Sequence, residues 1–168
     1  MLKYKTKKGE ILTISLIFIS IIMIIVVFAF SVFVSHINSV LYNLKIDMYA
    51  LNRSAIIAVN KGKTSIDDFS YDLKTYKKEF VSGLKQNYFL NESLENNEKR
   101  ISKIEILEYE ILEEDKKDSY TNKRCDSRVL HTVIEVKIRP VVFVKFFEEI
   151  FVFTIHEDVA LNSLKTMR

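Results

Sequence analysis

The sequence predicts an α+β protein: a long N-terminal helix with a transmembrane half and an amphipathic half, a second helix, and a small antiparallel sheet of about three strands. Three observations predict it. Residues 11–34, ILTISLIFISIIMIIVVFAFSVFV, contain no charge, proline or glycine. Beyond them apolar residues recur at alternating steps of four and three, and in the last third of the chain the period falls to two.

The apolar run is long enough to cross a bilayer. At 1.5 Å per residue it spans about 36 Å, against a hydrocarbon core of about 30 Å, so it fits with some tilt. A cleaved secretory signal has a shorter apolar stretch of about 7–15 residues and a small-x-small site after it. Here the one such site, Ala29-Phe30-Ser31, lies inside the run, which predicts that the segment is retained. Lys3, Lys5, Lys7 and Lys8 precede the run, whereas the first lysine or arginine after it is Lys45. That asymmetry predicts a cytoplasmic N-terminus and an extracytoplasmic C-terminal part. The expected organisation is a basic flank over 1–10, a transmembrane helix over 11–34 and one extracytoplasmic domain over 35–168, in a cell membrane.

Past the run, Ile37, Leu41, Leu44, Met48, Leu51, Ala55 and Ala58 form a heptad seam, with Asn38, Asn43, Lys45, Asp47, Asn52 and Arg53 on the opposite face. Ile37, Leu41, Leu44, Met48 and Leu51 are the candidate helix–helix interface, used within the chain or between chains. Asn60, Lys61 and Gly62 supply a helix stop. A second helix is expected from Ser65, with Asp67 and Asp68 favoured by the dipole of its first turn. Its stripe of Ile66, Phe69, Leu73, Tyr76, Phe80 and Leu84 is the natural cover for the seam.

Residues 91–99 read as a polar loop. Ile104 and Ile106 then alternate with charges, and after a bulge at Leu107 the apolar set continues through Tyr109 and Ile111. Residues 113–128, EEDKKDSYTNKRCDSR, offer almost nothing to bury and predict a long exposed connection. A second strand follows, with Leu130, Thr132, Ile134, Val136 and Ile138 on one face and His131, Glu135, Lys137 and Arg139 on the other, ended by Pro140. Residues 141–151 read as a short helix or turn. A last strand over 151–159 points Phe151, Phe153 and Ile155 inward and Val152, Thr154 and His156 outward.

Composition excludes several classes of chemistry. With 3 glycines and 1 proline there is no glycine-rich phosphate loop. A net charge of +3, four lysines of it in the flank, leaves nothing that asks for nucleic acid. The single cysteine, Cys125, cannot form an internal disulfide and reads as an exposed lone thiol. His36, His131 and His156 carry no metal-ligand or catalytic spacing. Pairing of the last two strands would set His131 and His156 on one solvent face, where Glu135 or Glu157 would complete a weak metal site. The expectation is nonetheless of no metal, no cofactor, no small-molecule substrate and no catalytic residues. The acidic run from Glu105 to Asp115 reads as a solvated face.

A lysine-rich leader ending in Gly9 and Glu10, the apolar run 11–34 continuing into an amphipathic helix, and a small α+β domain with its terminal hairpin near Arg139 and Pro140 resemble type IV pilins and pseudopilins. The layout is most similar to the TadE-like proteins of bacterial tight-adherence (Flp-type) pilus systems. The resemblance implies a non-enzymatic structural or assembly component of a pilus or secretion apparatus, with membrane lipid, other membrane or pilus-assembly proteins, and further copies of itself as partners. It marks Gly9 and Glu10 as the processing site. In family members that are cut, the mature chain carries a glutamate at its fifth residue; here Ile14 stands there, which implies an unprocessed accessory protein that stays in the membrane. A membrane-anchored adaptor of another envelope complex, in division, secretion or sporulation, shares the same layout. A sensor would need an output module, for which the ten-residue flank is too short.

Overall fold

The structure, a computed structural model, describes residues 2–61, 71–96, 98–139 and 151–161, with side chains from Ile11 onward. The expected Gly62 stop, the Ser65 start with Ile66, Asp67, Asp68 and Phe69, Pro140 and the segment 141–150 lie outside the described residues. The elements are α1 (Leu2–Val59), α2 (Leu73–Tyr88), β1 (Ile101–Leu112), β2 (Val129–Ile138) and β3 (Val152–Ala160). The chain divides into two compact units, residues 1–39 and 40–168.

In the first unit the apolar residues from Ile11 to Val34 are exposed almost all round. A helix apolar on every side has no polar face to turn to water, and this one is long and apolar enough to cross a membrane. Two of its hydroxyls fold back on the helix, Ser20 and Ser31 each donating to the carbonyl four residues earlier, Leu16 and Val27, at 2.9 Å. Both hydroxyls thereby have a partner within the helix itself.

In the second unit the three strands form an antiparallel meander in the order β1-β2-β3, packed on one face by α1 from Val40 onward and by α2. Its core gathers Leu44, Met48 and Ile56 of α1, Tyr76, Phe80 and Leu84 of α2, and Ile104, Tyr109, Leu130, Ile134, Val136, Ile155 and Val159 of the sheet. The expected bulge is present: the β1–β2 register slips between Ile106 and Glu108, leaving Leu107 exposed. The extra residue restores inward alternation for Tyr109.

The buried line on α1 is Leu44, Met48, Asn52, Ala55 and Ile56, while Leu51 is half-buried and Ala58 exposed. A straight helix turns every 3.6 residues, so over three turns its inward face drifts off a strict seven-residue seam and brings Asn52 beneath it. Asn52 thus leaves the polar face on which the seam would put it. Its Nδ2 donates to Thr132 Oγ1 at 2.9 Å, both residues being fully buried. Removing the acceptor alone strands a buried amide, so Thr132→Val is expected to cost about 1–3 kcal/mol. Adding Asn52→Leu should restore most of that loss in a denaturant double-mutant cycle; strictly additive losses would contradict the pairing.

α2 begins later than the sequence pattern predicts. Tyr71 and Asp72 are not helical, and Asp72 is the N-cap, its Oδ1 accepting from the Lys74 and Thr75 N–H groups at 3.1 and 3.3 Å. The hydrogen bonds from Thr75 hold the Asp72 carboxyl below its usual range. The helix closes on Phe89 in the left-handed region, with φ 55°. Asn60 ends α1 by donating to both Ile56 O at 3.0 Å and the Tyr76 hydroxyl at 2.7 Å, which ties the end of one helix to the other.

Candidate functional site

The face of the sheet turned away from the helices carries the densest chemistry. β2 is the central strand, so its residues from Val129 to Lys137 meet a neighbour on both sides. His131 lies between Glu110 of β1 and Asp158 of β3, and the adjacent far-face row is Glu108, Val133 and His156. Alternation puts His156 and Asp158, two residues apart, on the same face as His131. The two imidazole rings lie 5.0 Å apart.

The connection 113–128 closes over them, contrary to its expected exposure. Asp118 and Cys125 are buried, and Leu112, Cys125 and Val129 form a small second core with Ala160 against them. The connection is held by its own hairpin-like bonds, Asp118 N–H to Lys123 O at 2.8 Å and Cys125 N–H to Lys116 O at 3.0 Å. Its charged residues point outward while Asp118 turns in to meet the histidines, a pairing that no local count of apolar residues can register. Cys125 is therefore a buried thiol rather than an exposed one. Burial pushes its pKa up, aided by the carboxylates of Asp158, Asp118 and Asp126, so it is a poor nucleophile.

Four side chains converge there: Asp118, His131, His156 and Asp158, each offering a donor atom within 4.8 Å of the others. His156 Nε2 lies 3.3 Å from Asp118 Oδ2 and 3.2 Å from Asp158 Oδ1. His131 is completely buried, with Nδ1 2.8 Å from Asp158 Oδ1 and Nε2 3.2 Å from Glu108 Oε2 and 3.8 Å from Asp118 Oδ1. An outer layer fixes these groups. The Ser119 hydroxyl donates to Glu108 Oε2 at 2.6 Å, the Tyr120 N–H to Asp118 Oδ1 at 2.7 Å, and the Thr121 hydroxyl to Asp118 Oδ2. Tyr120 stacks on His156 with ring centroids 5.1 Å apart. Burial alone would raise the Asp118 pKa, but the bonds from Thr121 and Tyr120 and the nearby His156 bring it below its usual value.

Sequence reasoning placed the two histidines on one face but chose the wrong carboxylates. Glu157 is adjacent to His156 and so points to the opposite, helix-facing side, where it pairs with Lys45 at 3.6 Å. Burial raises its pKa, opposed by Lys45 and His156. Glu135 pairs with Thr154, beyond the cluster along the strands. The legible signals were the His-x-Asp spacing of His156 and Asp158 on a strand, and Asp-Ser-Tyr-Thr at 118–121, where an aspartate accepts from the backbone two residues on.

Of the other candidate residues, Gly9 and Glu10 fall within α1, where only the backbone is described. Leu44 and Met48 are fully buried in the core of their own chain, with Leu41 and Leu51 packed against it. Ile37 is buried and belongs to the N-terminal unit. α2 approaches α1 through Gly83, where an added Cβ would fall 2.3 Å from Leu51 Cδ2. Compared with protein-family models, curated proteins and solved structures, the chain matches none of them.

Proposed function

We propose that the protein is a single-pass, non-enzymatic membrane protein that holds its α+β domain outside the cell membrane and serves as a TadE-like or pseudopilin-like assembly component of a pilus or secretion apparatus. One observation carries this reading. Among the described residues a single helix is long and apolar enough to cross a membrane, lies near the N-terminus, and buries none of its most apolar stretch. The lysines at 3, 5, 7 and 8 support the orientation, since positive charge is retained on the cytoplasmic side.

The anchor and the domain divide the work physically. Without a hydrophobic drive between helices in lipid, the span associates sideways by van der Waals packing and by hydrogen bonds between helices. The domain consumes the amphipathic continuation of the helix in its own core, so partners outside the membrane meet the sheet edges, loops and charged faces instead. Partners are membrane lipid and other membrane or assembly proteins.

Intact mass and N-terminal sequencing of the membrane-extracted protein test the anchor. The expected chain retains residues 11–34, with the segment before Gly9 still attached. A start at Glu10 would replace the accessory role with that of a processed, pilin-like subunit. A start after Ala29-Phe30-Ser31 would remove the anchor and contradict the proposal. Deletion of the gene is expected to reduce surface pili or secretion; unchanged levels of both would contradict the assembly role.

A further inference from the structure

We propose that Asp118, His131, His156 and Asp158 form a structural site for one divalent transition ion, Zn2+ foremost, which fastens the β1–β2 connection onto the far face of the sheet. The site is independent of the apparatus the protein serves.

The donor set is the first argument. Two imidazoles and two carboxylates are the ligands of a borderline ion; Ca2+ and Mg2+ prefer oxygen alone, and a copper(I) site asks for sulfur. Geometry is the second. Ligands about 2.0–2.1 Å from a tetrahedral Zn2+ lie about 3.3 Å from one another. His156 Nε2 stands 3.3 and 3.2 Å from its two carboxylate neighbours, which is that edge length, and the widest donor separation of 4.8 Å closes with small side-chain rotations.

The third argument is an unmet valence. His156 Nε2 is buried yet makes no hydrogen bond to either carboxylate, although both lie within reach. At 3.3 and 3.2 Å from Asp118 Oδ2 and Asp158 Oδ1 it stands where a ligand nitrogen would stand beside two ligand oxygens. Three carboxylates, Glu108, Asp118 and Asp158, converge on two imidazoles, and the ion pairs that Asp118 and Asp158 make among the described residues are with those imidazoles alone. A dication supplies the missing positive charge.

The outer layer completes the site. Whichever ring nitrogen of His131 faces the ion, a carboxylate holds the other, and Thr121 and the Tyr120 N–H orient Asp118. Four protein ligands leave no open position, so the site is a closed structural one. A surface cleft lined by Asp118, Asp126, Asp158, Lys123 and Arg124 reaches two of the four ligands, Asp118 and Asp158. A chain with one cysteine and no disulfide gains from such a staple.

Full-length protein in detergent, stripped with a chelator and titrated with Co2+ and then Zn2+, tests the site. One Co2+ per chain is expected, with the intense visible absorption of a tetrahedral centre, displaced by Zn2+. His156→Gln and Asp158→Asn, at positions less buried than His131, should each weaken Co2+ binding by more than about 100-fold, and Glu108→Gln by about 10–100-fold. The stripped variants should unfold at the midpoint of the stripped wild type. Absence of stoichiometric binding would overturn the proposal and leave a hydrogen-bonded His–Asp network. Undiminished binding in the His156→Gln/Asp158→Asn double variant would also overturn it, placing the ion elsewhere.

Discussion

Met48→Glu is expected to unfold the domain over residues 40–168 while leaving membrane insertion intact. Met48 has no exposed surface and belongs to the core that also holds Leu44, Ile56, Phe80 and Ile134. A carboxylate there finds no described cation inside the core. Leaving a charge buried and unpaired costs several kcal/mol, and the lost methionine packing adds to it. A domain of this size is stable by about 5–15 kcal/mol, so the substitution removes most or all of that margin. Limited proteolysis of the full chain in membranes checks this. The domain should become protease-sensitive while the protein still fractionates with membranes; a protease-resistant Met48→Glu domain that merely loses oligomeric partners would instead put this face between chains.

Phe80→Ala should be the most damaging truncation of α2. Phe80 is fully buried and its ring meets Tyr109 of β1 with centroids 5.3 Å apart, so it joins helix to sheet. Losing a buried phenyl costs about 3–5 kcal/mol, the spread reflecting how far the cavity collapses. Thermal unfolding should begin at least about 6 °C lower, at about 2–4 °C or more per kcal/mol. Phe80→Leu, which keeps most of the volume, should lose well under half as much. Equal losses for the two variants would mean that ring volume is not what matters at this position.

The difference between these residues and the His–Asp cluster shows what a local pattern can carry. Met48, Phe80 and the apolar span announce themselves because a helix repeats every three or four residues and each repeat is apolar. Leu107 is equally legible, since one extra residue breaks a two-residue alternation and a bulge repairs it. Asn52 misled the pattern because a polar residue on a helix is read as solvated, whereas its actual partner, Thr132, lies 80 positions away. The same holds for β2. His131, Thr132 and Val133 are all buried, although alternating polarity predicts one wet face. That face is dry because the connection 113–128 returns over it, and the return is encoded in Asp118 and Cys125, which look unremarkable among so many charges. Burial produced by a charged loop is a long-range property, set by which carboxylate meets which imidazole.

The measurement that tests the central claim most directly is the side of the membrane on which the domain lies. The native thiol is buried, so the reporter is Lys123→Cys, at an exposed position, in a Cys125→Ser background. Intact cells are treated with a membrane-impermeant maleimide. An anchored domain held outside predicts full labelling of intact cells, with the protein recovered in the membrane fraction. Labelling only after the cells are broken would place the domain in the cytoplasm and contradict the account.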